Sequence, residues 1–316
     1  CTTKAQDSAM MRSFALALVV QLAWSTPLMQ PKPATSTAVV LWHGMGDTCC
    51  LPFSMGAIEA MIVDAVPGAY VTSLMVGKNE ADDQWNGFFL SIDKQLEFAC
   101  ETVKKDPNLA GGFHMVGFSQ GGLFARSLVE TCDGINVKTV VSIGGPQNGV
   151  YGLPKCTVPK APCEMLKSLL DIGAYDSLVQ HRLVQAQYWN DAKHPDAFLK
   201  SNIFLPGINN LLPSEVNPEY KARLATLEKL VLVMFESDTV VIPKESEWFG
   251  WYAPGQDTEL VPFNQTEIYT QDLLGLKQLY ADGRMVFKSS PGDHLAMPRG
   301  YFEKEIIPFL TPIAHA

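Results

Sequence analysis

One serine in this 316-residue chain sits where a hydroxyl can be made into a nucleophile. Gly117-Phe118-Ser119-Gln120-Gly121 matches G-x-S-x-G, with an apolar run before it and a helical pattern after it. A strand that enters a helix through so sharp a turn leaves no room for side chains two residues either side of the serine. Glycine therefore stands at both places, and the turn lifts the hydroxyl above the sheet. A serine hydroxyl is a poor nucleophile until a base takes its proton, and the base needs an acid to hold its tautomer. On such a turn the partners follow in the order acid, then histidine. Of six histidines, four lie after Ser119. His315 is in the tail, and His181 and His194 lie in a proline-rich stretch. His294, in Gly292-Asp293-His294 just past an apolar run ending at Phe287, is the expected base. Asp238 follows the apolar run ending at Phe235 and is the expected acid, with Glu236 and Asp293 as rivals.

Acyl transfer also needs two backbone N–H groups aimed at the oxygen that becomes negative. One is expected from Gln120, directly after the nucleophile. The other is expected from Met45, in the glycine-rich loop His43-Gly44-Met45-Gly46-Asp47 after the first strand. Losing one such donor costs about 3 kcal/mol of transition-state stabilisation. His43 is expected to pack or hydrogen-bond within that loop rather than move protons.

The elements that must hold these groups can be read from apolar runs. Strands are expected at 37–42, 69–74, 112–118, 137–143, 230–235 and 284–287, with helices at 84–105 and 121–132. Strands alternating with helices imply right-handed crossovers and a mainly parallel sheet, with ligands at the strands' carboxyl ends. The expected class is α/β, an α/β-hydrolase arrangement with helices on both faces of the central sheet. Residues 145–229 break the rhythm with many prolines, and helical patches are expected near 164–190 and 219–229. So long an interruption reads as an inserted helical cap between core segments 37–144 and 230–311.

Hydrophobic residues form 47% of the chain, enough for a sizeable core, and the net charge of −9 argues against nucleic acid as a partner. Met10-Met11-Arg12, the apolar stretch 14–20 and Ala23-Trp24-Ser25 read as a cleaved signal peptide within residues 1–25, followed by a linker at 26–36. The apolar stretch is too short to span a bilayer. Beyond Cys1 there are six cysteines: Cys49, Cys50, Cys100, Cys132, Cys156 and Cys163. Six allow fifteen pairings, and Cys156 and Cys163 bracket a short loop that a bond would close easily. No C-x-x-C pair is present, so neither a zinc site nor a thioredoxin-like site is expected, and no cofactor is implied. Asn264-Gln265-Thr266 is the single N-glycosylation sequon. These features lead to the expectation of a chain that enters the secretory pathway and is retained there or secreted.

Several further motifs closely resemble the lysosomal palmitoyl-protein thioesterase family. They are His43-Gly44-Met45-Gly46-Asp47 with Cys49-Cys50, Gly117-Phe118-Ser119-Gln120-Gly121-Gly122, Gly152-Leu153-Pro154-Lys155-Cys156 and Leu183-Val184-Gln185-Ala186. Ser246-Glu247-Trp248-Phe249-Gly250, Tyr269-Thr270-Gln271-Asp272 and Gly292-Asp293-His294-Leu295 complete the set, which runs in order from about 37 to 310. The resemblance implies hydrolysis of long fatty acyl (palmitoyl) thioesters on cysteines of S-acylated proteins or peptides during their degradation in the lysosome. It maps the triad to Ser119, Asp238 and His294 and the oxyanion donors to Met45 and Gln120. It also implies disulfides Cys49–Cys50, Cys100–Cys132 and Cys156–Cys163, and an insertion that helps form an apolar acyl groove. In the insertion, Leu166, Leu169, Leu170, Ile172, Leu178, Val179 and Leu183 have the helical spacing either of an acyl-facing wall or of plain core, and Trp189, Trp248 and Trp251 share that ambiguity. The alternatives are a fatty acyl-CoA thioesterase or lipid esterase of the same fold, and a lipid-binding protein without turnover. The sequence leaves the oligomeric state open.

Overall fold

The structure is a computed structural model that describes residues 37–152, 165, 169 and 173–310. Its frame follows from strands that are apolar on both faces, the pattern of a parallel sheet covered on two sides. Ala38–Trp42 (β1), Tyr70–Ser73 (β2), Phe113–Phe118 (β3), Val137–Ile143 (β4) and Lys229–Phe235 (β5) are five of its strands. Trp251–Tyr252 (β6) and Leu260–Val261 (β7) form a separate antiparallel pair, and Met285–Ser290 (β8) returns to the main sheet. The order of the main sheet is β2-β1-β3-β4-β5-β8, and every neighbouring pair is parallel. This is the α/β-hydrolase class.

Alternation divides the side chains between two cores. Val40, Trp42, Met115, Val140 and Leu232 face one side, where they meet Leu96 and Ala99 of Ile92–Lys105 (α3) and Leu123, Phe124 and Leu128 of Gln120–Thr131 (α4). Val39, Leu41, Val116, Val141 and Val233 face the other, against Met55 and Ile62 of Met55–Ala65 (α1) and Phe302 near the C-terminus. Each fully buried aliphatic or aromatic side chain of this kind contributes about 1.5–3 kcal/mol. Register then brings Trp42, Gly117 and Ser142 level, so the loops after β1, β3 and β4 leave from one edge.

The single helix expected at 84–105 is two helices, Glu80–Phe89 (α2) and α3. Apolar spacing continues through the break, which is why the pattern reads as one. Leu90 is extended, and the buried Gln95 amide donates to the Asn86 and Leu90 carbonyls, 3.0 and 2.7 Å away, satisfying the end of α2. Strand β8 continues three residues past Phe287 to Ser290. Helix α1 and the β6–β7 pair carry no strong periodic signal and were not anticipated.

Within 145–229 the described helices are Ser177–Arg182, Val184–Gln187, Pro195–Ser201, Leu205–Ile208 and Pro218–Leu224. Val184, Tyr188, Phe198, Leu205 and Leu224 belong to the same apolar cluster as Trp42 and Phe124. A buried guanidinium ties this segment down: Arg126 donates to Gln147, Asn209 and Glu130 at 2.7, 2.8 and 2.7 Å. The expected signal peptide, linker, Cys156, Cys163 and His315 lie outside the described residues, as do Leu166, Leu170 and Ile172.

Candidate active site

Strand β3 ends at Phe118 and α4 begins at Gln120, which leaves Ser119 alone in the turn between them. Ser119 has φ 54° and ψ −127°, a backbone region that side chains rarely adopt. Its N–H donates to the Ile143 carbonyl at 2.8 Å, and its own carbonyl accepts from Gly122 N–H at 2.8 Å. A Cβ on Gly117 would fall 2.1 Å from the Gly121 carbonyl oxygen, and one on Gly121 would fall 2.4 Å from the Trp42 oxygen. Backbone occupies both spaces, so neither position admits a side chain without moving the turn.

Three side chains far apart along the chain meet at this turn. The Ser119 hydroxyl donates to His294 Nε2 at 2.8 Å, and His294 Nδ1–H donates to Asp238 Oδ2 at 2.5 Å. That tautomer follows from the partners, since a carboxylate can only accept. The Asp238 side chain is fully buried, and its Oδ1 accepts from Val240 and Val241 N–H at 2.7 and 2.8 Å. Burial alone would raise this carboxyl, yet the hydrogen bond and charge of His294 outweigh it and hold Asp238 below the ordinary carboxylate value. The rivals are engaged elsewhere. Glu236 accepts from the Ser289 hydroxyl, and Asp293 accepts from Thr239 N–H and from its neighbour's backbone N–H, both at 2.8 Å. Asp293 thereby clasps the loop carrying His294 to the loop carrying Asp238. His181 and His194 bind their own helix and Asp191, away from this relay.

Gln120 opens α4, so its N–H has no helical partner, and among the described residues Met45 N–H also meets no acceptor. Gly44 brings the first loop against the serine turn, since a Cβ there would be 3.0 Å from that of Ser119. The braces on this loop come from α2 and were missed in the sequence. Gln84 donates to the Gly46 carbonyl at 2.7 Å, and the Gln120 amide donates to Gly87 at 3.0 Å. Asp83 is fully buried and accepts four hydrogen bonds: from His43 Nε2, the Thr48 hydroxyl, Cys49 N–H and Val76 N–H. A charged residue among Phe88, Phe89 and Trp85 on one helix is the signal that could have found it.

His43 packs within the loop as expected, and both ring nitrogens face acceptors, the Gly44 carbonyl at 2.8 Å and Asp83 at 3.0 Å. The ring is therefore a cation. Burial works against this, but the Asp83 hydrogen bond and charge prevail and raise His43 above its ordinary value, while Asp83 is held low in turn. Removing one partner of such a pair costs about 3–5 kcal/mol, and Asp83→Asn is expected to destabilise by that much. The pH dependence has a definite sign. Asp83 contributes above its ordinary 3.8 and loses that contribution as pH falls through its lowered folded value. His43 contributes below its ordinary 6.5 and loses that contribution as pH rises through its raised folded value. The Tm difference between wild type and Asp83→Asn is thus widest in the acidic window between them. A difference that stays flat from about pH 3 to about pH 9 would overturn the ion pair.

Cys49 and Cys50 are disulfide-linked beside this loop, and Cys100, within α3, is joined to Cys132 at the C-terminal end of α4. Asn264 is exposed, while Thr266 of the same sequon is buried and donates its hydroxyl to the Phe263 carbonyl at 2.7 Å. In the insertion, Val179 and Leu183 are fully buried with Met45, Phe88 and Leu169, so they are core, whereas Leu178 is exposed. Trp248 and Trp189 are half-buried against the main core, and Trp251 lines a cleft of about 410 Å³ with Phe198, Leu199 and Ile268. Polar atoms of Asp238, Glu247 and His294 all lie within 4.8 Å of one another, a spacing a metal ion could use. Both nitrogens of His294 are committed to Ser119 and Asp238, which leaves that residue nothing to coordinate with.

A base that can accept the serine proton, an acid that fixes that base, and two N–H groups without an acceptor among the described residues are together equipped for acyl transfer. Palmitoyl-protein thioesterase 1 of Caenorhabditis elegans is 42% identical over 269 residues, covering 85% of this chain and 90% of that protein. Palmitoyl-protein thioesterase 3 of Dictyostelium discoideum is 34% identical, covering 86% and 91%. Among solved structures, a Bacillus licheniformis lipase superposes with a TM-score of 0.47 at 13% identity, covering 90% of this chain and 96% of the lipase. The sequence pattern of the family described as palmitoyl protein thioesterase matches residues 38–294. With that match spanning the serine turn, the acid and the histidine, the chain belongs to the palmitoyl protein thioesterase family.

Proposed function

We propose that this chain is a serine thioesterase that removes long-chain fatty acyl groups, palmitoyl among them, from cysteines of S-acylated proteins or peptides. The observation that carries the reading is the unbroken relay from the Ser119 hydroxyl through His294 to Asp238. Ser119 Oγ attacks the thioester carbonyl as its proton passes to His294 Nε2. The carbonyl oxygen becomes negative within reach of Met45 and Gln120 N–H. Collapse breaks the C–S bond, and the departing sulfur takes the proton from His294. Water then gives a proton to His294 and attacks the acyl-serine; the C–Oγ bond breaks, releasing the fatty acid, and His294 returns the proton to Ser119 Oγ. A thiolate leaves more readily than an alkoxide, so leaving-group protonation matters less here than it does for an ester.

In this reading, 37–144 and 230–311 form the hydrolase core and 145–229 is an inserted subdomain beside the acyl path. Val179, Leu183 and Ala186 pack with Met45 of the oxyanion loop, which supports a role for the insertion near the carbonyl. Two disulfides and an exposed sequon asparagine fit an oxidising, secretory route, and the Homo sapiens relative at 28% identity is named a lysosomal thioesterase. No helix among the described residues is long and apolar enough to cross a membrane.

A substrate panel tests the proposal. Palmitoyl-cysteine peptide, palmitoyl-CoA and a matched palmitoyl oxygen ester are compared, with a fluorophosphonate probe reporting the serine independently. The expected result is fastest turnover of the peptide thioester and probe labelling of wild type but not Ser119→Ala. Preference for the oxygen ester or for the CoA thioester would replace the proposed substrate. Labelling of Ser119→Ala would remove the nucleophile.

A further inference from the structure

Glu247 is a second buried acid behind the relay. It lies on the short 3-10 helix Lys244–Trp248 and is 1% exposed. Its Oε2 accepts from Phe235 N–H at 3.0 Å, at the end of β5 and three residues before Asp238. Its Oε1 is buried and finds no donor, although Asp238 lies beside it. Every described partner of Asp238 is a donor: His294 Nδ1–H, Val240 N–H and Val241 N–H. Asp238 is therefore the ionised member of the pair. Two carboxylates cannot both be charged in so small a dry space, and an unpaired buried oxygen is costly. One proton resolves both problems. Placed on Glu247 Oε1, it gives that oxygen a donor's role toward Asp238 and leaves Oε2 to accept from Phe235.

We propose that Glu247 acts as a positioning residue for the reaction: as a neutral carboxylic acid it donates to the Asp238 carboxylate and so fixes the group that orients His294. This rests on the thioesterase reading of the site. The neighbours of Glu247 leave it little room to swing away. The Ser246 hydroxyl donates to the Gly149 carbonyl at 2.6 Å and accepts from Asn148 N–H at 3.0 Å, while Trp248 Nε1–H donates to Leu232 at 3.1 Å. The ionisable groups facing Glu247 are Asp238 after β5, His294 after β8, and Glu245 on its own helix. Burial first, and then the Asp238 charge, push the Glu247 carboxyl well above its ordinary range, while a bond from Glu247 helps keep Asp238 low. The donor is present at acidic pH and is lost as rising pH ionises Glu247.

Glutamine copies the neutral acid, with its carbonyl toward Phe235 and its amide N–H toward Asp238, at every pH. Leucine fills the space and supplies neither group. Palmitoyl-cysteine peptide hydrolysis is measured against pH for wild type, Glu247→Gln, Glu247→Leu and Ser119→Ala, together with fluorophosphonate labelling rates. Glu247→Leu is expected to lower kcat by about 10- to 100-fold, the worth of one hydrogen bond to a charge, with KM little changed. Its acidic limb moves to higher pH, because Asp238 without its donor ionises later. Glu247→Gln is expected to recover most of kcat and to hold activity at alkaline pH where wild type declines. Should Glu247→Leu fail to fold, the alkaline limb of Glu247→Gln decides alone. A Glu247→Leu enzyme with wild-type kcat and pH profile overturns the proposal, as does a Glu247→Gln alkaline limb superimposable on wild type. Because labelling reports serine reactivity without any thioester, a failure of the substrate reading remains distinguishable from a failure of this one.

Discussion

Ser119→Ala is expected to lower kcat for thioester hydrolysis by about 10⁶-fold, with Tm nearly unchanged. The size follows from what the hydroxyl supplies. It is the atom that forms the acyl bond, and without it only the oxyanion donors and substrate positioning remain to act on attack by water. The stability expectation follows from its contacts: the hydroxyl's described hydrogen bond goes to His294 alone. The strained backbone at φ 54° is held by Ser119 N–H on Ile143 and by the Gly117 and Gly121 approaches, none of which alanine disturbs. Single-turnover kinetics with a palmitoyl-cysteine peptide and a thermal melt measure both halves. Turnover within about 100-fold of wild type would mean that another group carries the acyl transfer.

What the sequence made legible depends on whether the cause is local. The turn around Ser119 is dictated within five residues, because a Cβ at either flanking glycine would meet backbone. Strands β1, β3, β4 and β5 are short runs buried on both faces, so their positions could be read to within a residue or two. His294 and Asp238 were reachable from chain order and strand ends. Asp83 and Glu247 were not. Their contacts come from partners 34 to 40 residues away in one case, and in the other from Asp238, which the turn after β5 folds back against Glu247. A buried acid looks like any acid until the fold shows that it faces His43 or Asp238 rather than water. The break between α2 and α3 was hidden for a related reason. Apolar spacing is continuous there, and the Gln95 amide that stabilises the break gives no periodic signal.

Asp238→Asn is expected to reduce kcat by about 10⁴-fold while leaving the site's shape intact. Asparagine is the same size, and its oxygen can still accept from Val240 and Val241 N–H, so the turn after β5 stays closed. Its amide nitrogen is then left facing His294 Nδ1, and it donates where the carboxylate accepted. The imidazole must place its one proton on Nε2, directed at Ser119, and a protonated Nε2 cannot take the serine proton. The charge that stabilises the imidazolium formed during attack is lost as well. Fluorophosphonate labelling should slow in parallel with turnover, since both require the same activated hydroxyl, whereas KM should move little. A loss smaller than about tenfold would return the role of acid to Glu236 or Asp293, whose Ser289 and Thr239 contacts would then have to exchange for His294.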